Sequence, residues 1–131
     1  MQYNCARVCS LLKQFDGMVE DGTYPAFKEE SVDFGLLTDL QEWELIFKYL
    51  CPSLEMMKEI CGHPENVPRL VQWLMSFSMD FSSYYNRTHV LTDPREHLYP
   101  KMFARIQLFK RIKSWLEFWL EVLDLPPLTE V

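Results

Sequence analysis

The sequence predicts an all-α protein, a bundle of about five helices. Three observations point there. No segment alternates apolar and polar residues with the two-residue period of a strand, whereas apolar residues recur at three-and-four spacing along most of the chain. Glycine and proline, which helix interiors expel, fall at Gly17, Gly22, Pro25, Gly35, Pro52, Gly62, Pro64, Pro68, Pro94, Pro100, Pro126 and Pro127, and these cluster at boundaries. Residues 69–93 and 101–125 are two stretches of 25 free of both, room for two helices well above average length. With 48% hydrophobic and 15% aromatic residues among 131, the chain can fill a core as one domain, 1–131, and is no disordered tail.

Taken in order, Gln2 to about Gln14 reads as the first helix. An acidic loop follows at about 16–37, long for a compact domain. Thr38 with Gln41 reads as a capping box opening a second helix through Leu50, with Trp43, Ile46, Phe47 and Leu50 at helical spacing. Pro52 opens a third helix that turns Leu54, Met57 and Cys61 inward and stops at Gly62. Asn66 or Glu65 caps the fourth, whose Leu70, Leu74, Phe77, Phe81 and Tyr84 make a buried stripe. Tyr84 is core on this reading, and Tyr85, one step round the helix, is freer to act. The fifth carries Met102, Ile106, Phe109, Leu116, Leu120 and Leu123, widened by Phe103, Trp115, Phe118, Trp119 and Val122 until it is apolar nearly all round, the mark of a central helix.

A net charge of −6 has the wrong sign for holding nucleic acid through bulk electrostatics, so DNA is not an expected partner and any contact with RNA is local. The charge is also uneven. Asp16 to Glu44 holds nine acids against Lys28 alone, and Arg95 to Lys113 holds six bases against Glu96 alone, so one end can meet RNA while the other repels it. Lys101, Lys110, Arg111 and Lys113 point in different directions around one helix and make no single stripe. Cys5, Cys9, Cys51 and Cys61 lack CxxC spacing and a matching set of histidines, so no metal site is expected; they read as four buried thiols of a reducing, cytoplasmic setting. Asn86-Arg87-Thr88 matches a glycosylation sequon but sits in a helical pattern with no signal peptide ahead of it. The uncharged run from Leu70 to Met79 is half of the about 20 residues a membrane span needs, so no membrane partner is expected.

Signatures of catalysis are missing. There is no phosphate-cradling glycine loop, no HExxH and no GxSxG; His63, His89 and His97 fall at predicted helix ends, where they act as caps or surface groups; Glu29, Glu30, Glu42 and Glu44 read as solvated acids. Neither an active site nor a cofactor is expected. The richest stretch is Asp80 to Leu91, which gathers Tyr84, Tyr85, Asn86, Arg87 and His89 at a helix end. Aromatic faces stack unpaired bases, and amide and guanidinium groups read base edges or hold phosphates, so this composition fits single-stranded RNA.

Three separated blocks resemble one family. Gln2-Tyr3-Asn4-Cys5-Ala6-Arg7-Val8-Cys9-Ser10, the helix from Leu70 to Leu91, and Ala104-Arg105-Ile106-Gln107-Leu108 with Leu120 to Pro127 are similar to the opening, Phe-then-Tyr and closing helices of the DALR anticodon-binding domain, the all-helical C-terminal domain of arginyl-tRNA synthetases. The likeness covers nearly the whole chain. It implies an anticodon stem-loop gripped by the bundle, with loop bases stacked on Tyr3 and Tyr85 and with Arg7 and Asn86 as neighbours. Arg87 belongs to the same cluster, and Arg105 is the family-matching arginine. Helical geometry also turns Arg105 toward the apolar face of Phe109, Leu116 and Leu123, where a paired arginine organising the bundle is an alternative to an RNA contact. Two departures stand out: Cys5 replaces a usual histidine, and Val131 replaces a terminal methionine that meets the anticodon loop. The synthetase signatures HIGH and KMSKS are absent, Lys101-Met102-Phe103-Ala104 sharing two letters with the latter, so the chain is not expected to activate an amino acid.

Three functions follow as expectations. One is a non-catalytic module that binds the anticodon arm of arginine tRNA and presents it to a tRNA-modifying enzyme such as a methyltransferase. Another is a protein-docking bundle whose acidic segment, with Tyr24, Phe27 and Phe34 among its acids, folds on a basic partner. The third is the anticodon-binding domain of an arginyl-tRNA synthetase.

Overall fold

A computed structural model describes residues 1–127, and among the described residues there are helices and turns but no strand. Four helices of eight residues or more and one shorter helix make up the all-α fold. The chain forms two compact units: residues 39–88 with Met1, and residues 2–38 with the part from 89 onward.

In the second of these units, α1 (Gln2–Glu20) packs on α5 (Tyr99–Val122). The first helix is longer than its sequence suggests, running through Gly17 to Glu20 instead of stopping near Gln14. Phe15 is the reason. Its ring is buried, stacks on Tyr24 at 5.9 Å and meets Phe27 and Phe103 edge-on, each at 6.2 Å. That aromatic burial outweighs the cost of about 1 kcal/mol for a glycine in the next turn. Gly22, at φ +86°, then turns the chain back.

The predicted loop that follows is ordered by side-chain anchors. Tyr24 is buried and its hydroxyl donates to the Thr92 carbonyl, the Tyr99 hydroxyl donates to the Thr23 carbonyl at 3.3 Å, and Leu37 is buried at the far end. Between them lie two single 3₁₀ turns, Glu29–Ser31 and Phe34–Leu36, the second capped by Asp33, whose carboxylate accepts from the Gly35 amide at 2.9 Å. Helix α5 buries residues on nearly every side from Met102 to Leu120, as its pattern predicts, although Phe118 and Val122 are exposed. It ends at Val122 and is followed by Asp124 in a left-handed turn at φ +56°, and Gln2 at the start of α1 donates to the Pro126 carbonyl at 2.7 Å.

The other unit holds α2 (Leu40–Leu45), a π turn over Ile46–Leu50, α3 (Ser53–Ile60) and α4 (Val67–Arg87). Asp39, not Thr38, is the cap of α2: its carboxylate accepts from the Gln41 amide at 2.9 Å while the Asp39 amide donates to Glu42 Oε1 at 3.1 Å. This helix buries Glu42 and Leu45, and the π turn buries Tyr49, in place of the expected Trp43, Ile46, Phe47 and Leu50. Phe47 instead lies exposed against Trp43, rings stacked at 5.7 Å.

Helix α3 is peripheral. It packs on α4 and the turn Pro64–Asn66, and none of its residues is buried; Leu54 and Cys61 are exposed rather than inward, because a two-turn helix at the margin has little to cover it. Gly62 ends it at φ +74°, as read. Asn66 stands at the cap position of α4, but its side chain donates to the Glu59 carbonyl at 2.7 Å instead of capping. The five-residue stripe Leu70, Leu74, Phe77, Phe81 and Tyr84 is buried as predicted. Of the four cysteines expected in the interior, only Cys5 and Cys9 are there; Cys51 and Cys61 are exposed at the two ends of α3. No described helix is long and apolar enough to cross a membrane.

Candidate nucleic-acid interface

At the start of α1, Tyr3 and Arg7 are one helical turn apart, and the Arg7 guanidinium carbon sits 4.4 Å from the Tyr3 ring centroid. Arg7 is half-buried, with Nη1 3.5 Å from Asn4 Oδ1, whereas 54% of Tyr3 is exposed. The guanidinium holds the ring in place and leaves most of it open, which is what a platform for an unpaired base needs. Burial, with the neighbouring Cys9 adding to it, pushes the Cys5 thiol of the same helix up to about 11, far from a reactive thiolate near neutral pH. Arg105 is half-buried on α5 between buried Ala104 and Ile106, and it already interacts within the protein.

In the other unit, the end of α4 separates its two tyrosines. Tyr84 is fully buried and its hydroxyl donates to Glu42 Oε2 at 2.5 Å. Tyr85 is half-buried, its ring 5.9 Å from that of Phe81, and Asn86 beside it is exposed. Arg87 is also exposed but is held at the start of α2, donating to Gln41 Oε1 and lying 3.6 Å from Asp39 Oδ2. The structure thus brings together Tyr3 with Arg7, and Arg87 with the cap of α2.

Two features escaped the sequence reading. Glu42, read as a solvated acid, is fully buried, with one carboxylate oxygen on the Asp39 amide and the other on the Tyr84 hydroxyl. The spacing Asp39-x-x-Glu42 was the available signal. Asp80 accepts from the Tyr49 hydroxyl and from Lys48 Nζ at 3.2 Å. Burial and the bond to Asp80 push the Tyr49 phenol up to about 12, and hydrogen bonds to Tyr49 and Asp80 raise Lys48.

Within one unit, the acidic segment lies on the basic helix: Glu29 Oε1 accepts from Gln107 Nε2 at 2.9 Å and meets Arg111 Nη2 at 3.5 Å, Lys101 donates to Thr38 at 3.0 Å, and Lys110 Nζ lies 4.1 Å from the Phe27 ring. Lys113 instead pairs along its own helix with Glu117 at 3.9 Å. These bases have no common direction, as the spacing predicted, but most of them face the same covering segment.

A sequence profile of the DALR anticodon binding domain matches residues 1–131. The chain belongs to the DALR anticodon-binding-domain family. This DALR chain is 39% identical over 140 residues to the DALR anticodon-binding domain-containing protein 3 of Rattus norvegicus, a match covering all of the chain and 26% of that protein. The Danio rerio protein of the same name is 34% identical over 142 residues, again over the whole chain and 25% of its own length. An arginine--tRNA ligase of Desulfotalea psychrophila is 30% identical over 134 residues, covering 95% of the chain and 21% of the ligase. The DALR chain therefore spans about a quarter of the length of the relatives it matches. No solved structure matches it significantly. Val131, which the resemblance set at the place of a terminal methionine, lies outside the described residues.

Proposed function

We propose that the chain is a tRNA-binding module, a single anticodon-binding domain over 1–131, that holds the anticodon arm of arginine tRNA and performs no chemistry of its own. The observation that carries this reading is the exposed Tyr3 ring with the Arg7 guanidinium 4.4 Å from its centre, an aromatic platform on an otherwise acidic protein. Tyr85 and Asn86 supply a second aromatic and amide pair, and membership of the DALR family supports tRNA as the ligand. Arg7 and Arg87 add charge where the bases would lie, and Arg105 supports the fold as much as the ligand. With binding as its contribution, the module presents tRNA to a tRNA-modifying enzyme of the cytoplasm, such as a methyltransferase.

The test is the affinity of the purified chain for arginine tRNA and for an unrelated tRNA, each at low and near-physiological salt. A preference for arginine tRNA that survives salt establishes base readout; equal, salt-sensitive binding removes the arginine specificity. A second reading, docking to a protein, is favoured by Val71, Met75 and Met79, exposed one turn apart along α4. Of the aromatics in the acidic segment, Tyr24 is buried and Phe27 half-buried, while Phe34 is exposed. Absence of any tRNA binding turns the choice to this reading.

A further inference from the structure

We infer that residues 28–36 form an acidic strap over a phosphate-binding face of α5 and yield that face to RNA. The inference rests on the tRNA-binding reading above. Phe103, Gln107, Lys110 and Arg111 are spaced to share one side of α5; Phe103 and Lys110 meet Phe27, just ahead of the strap, and Gln107 and Arg111 meet Glu29 within it. Phe27 packs edge-on against Phe103 at 5.7 Å and underlies Lys110 at 4.1 Å, while a single oxygen of Glu29 serves both Gln107 and Arg111. A carboxylate oxygen that gathers an amide N–H and a guanidinium stands where a phosphate oxygen would stand.

The strap is fixed at its ends and lightly held between them. Tyr24 and Leu37 are buried, but no residue of the two turns between them is. Glu29 and Arg111 are 64% and 66% exposed, so their attraction is screened by water and salt. Gln107 is 4% exposed; its Nε2 donates to Glu29, while its Oε1 is buried with no hydrogen-bond partner. An orphaned buried acceptor makes the closed arrangement costly, and the 2′-hydroxyl of RNA is a donor that can satisfy it once the strap lifts. Glu29, Glu30 and Asp33 against Lys28 give the strap an acidic balance, which RNA phosphates replace one for one.

Three variants of the full chain test this, with affinity for arginine tRNA measured across a salt series and folding checked by circular dichroism. Glu29→Gln should tighten binding about twofold to fivefold, as expected for releasing an exposed ion pair. It should also steepen the slope of log affinity against log salt by about 0.7 to 0.9, because only in the wild type does a phosphate seated on Arg111 displace Glu29, which then takes up a cation. Glu30→Gln removes the same charge from an exposed neighbour and should leave the slope unchanged. Arg111→Gln should weaken binding and abolish the gain from Glu29→Gln. Equal affinity for Glu29→Gln and wild type, or equal gains from Glu29→Gln and Glu30→Gln, overturns the strap while tRNA binding by the wild type stands. Failure of the wild type and every variant to bind overturns the tRNA reading and the strap with it.

Discussion

The Tyr84 hydroxyl donates to Glu42 across 2.5 Å inside a fully buried pocket, joining the first turn of α2 to the last turns of α4. Removing a carboxylate from water is costly unless its oxygens are satisfied, and here the Asp39 amide and the Tyr84 phenol satisfy one each. Tyr84, read as core from its place on the apolar stripe, is thereby committed to structure, and its half-buried neighbour Tyr85 is the more accessible of the pair. Tyr84→Phe should destabilise the protein by about 1.5 to 3 kcal/mol, the range for a hydrogen bond to a charged group. Urea unfolding of the variant checks this; an unchanged midpoint would show that the carboxylate has other donors.

Ligand stacking makes a different demand on Tyr3 and Tyr85. Each replaced by alanine should lose about 1 to 3 kcal/mol of affinity for arginine tRNA, while Tyr3→Phe should lose little because the ring is retained. Arg87→Gln should change affinity less than either, since its guanidinium already serves Gln41 and Asp39. Binding measurements on folded variants decide it, and a Tyr3→Ala protein that binds like wild type removes the platform.

Alkaline pH should weaken the unit around Tyr49. The folded phenol is pushed up to about 12, against the ordinary value of 10.0, because it is buried and donates to Asp80. The unfolded phenol therefore loses its proton first. Its contribution is complete below pH about 10 and is lost as pH rises from about 10 to 12. Lys48, also raised, acts with the same sign. Stability measured by urea between pH 8 and 11 should fall, and should fall less steeply for Tyr49→Phe; parallel curves for the two proteins would exclude the phenol as a source.

Thiol reactivity should divide the cysteines two and two. Cys51 and Cys61 are exposed, whereas Cys5 and Cys9 are buried in α1 and the Cys5 thiol is pushed up to about 11. A maleimide at pH 7 should label two thiols in the native protein and all four in denaturant. Rapid labelling of four in the native state would place α1 in exchange with an open form.

What the sequence determined by itself is whatever depends on near neighbours. The stripe Leu70, Leu74, Phe77, Phe81 and Tyr84, the stop at Gly62 and the central character of α5 are written in a 3.6-residue period and in backbone preferences, and folding leaves them as read. The resemblance of Tyr3, Arg7 and the α4 motif to the DALR family is local in the same sense. Tertiary structure alone decided which polar groups are spent. Glu42 is buried because Tyr84, 42 residues on, offers it a donor, and the acidic strap lies on basic α5 because Glu29 meets Arg111, 82 residues on. It also extended α1 past Gly17, since the buried Phe15 ring has partners in Tyr24, Phe27 and Phe103. A charge counted along the chain says nothing of what it faces, because Coulomb attraction and desolvation depend on distance in space, and packing sets that distance.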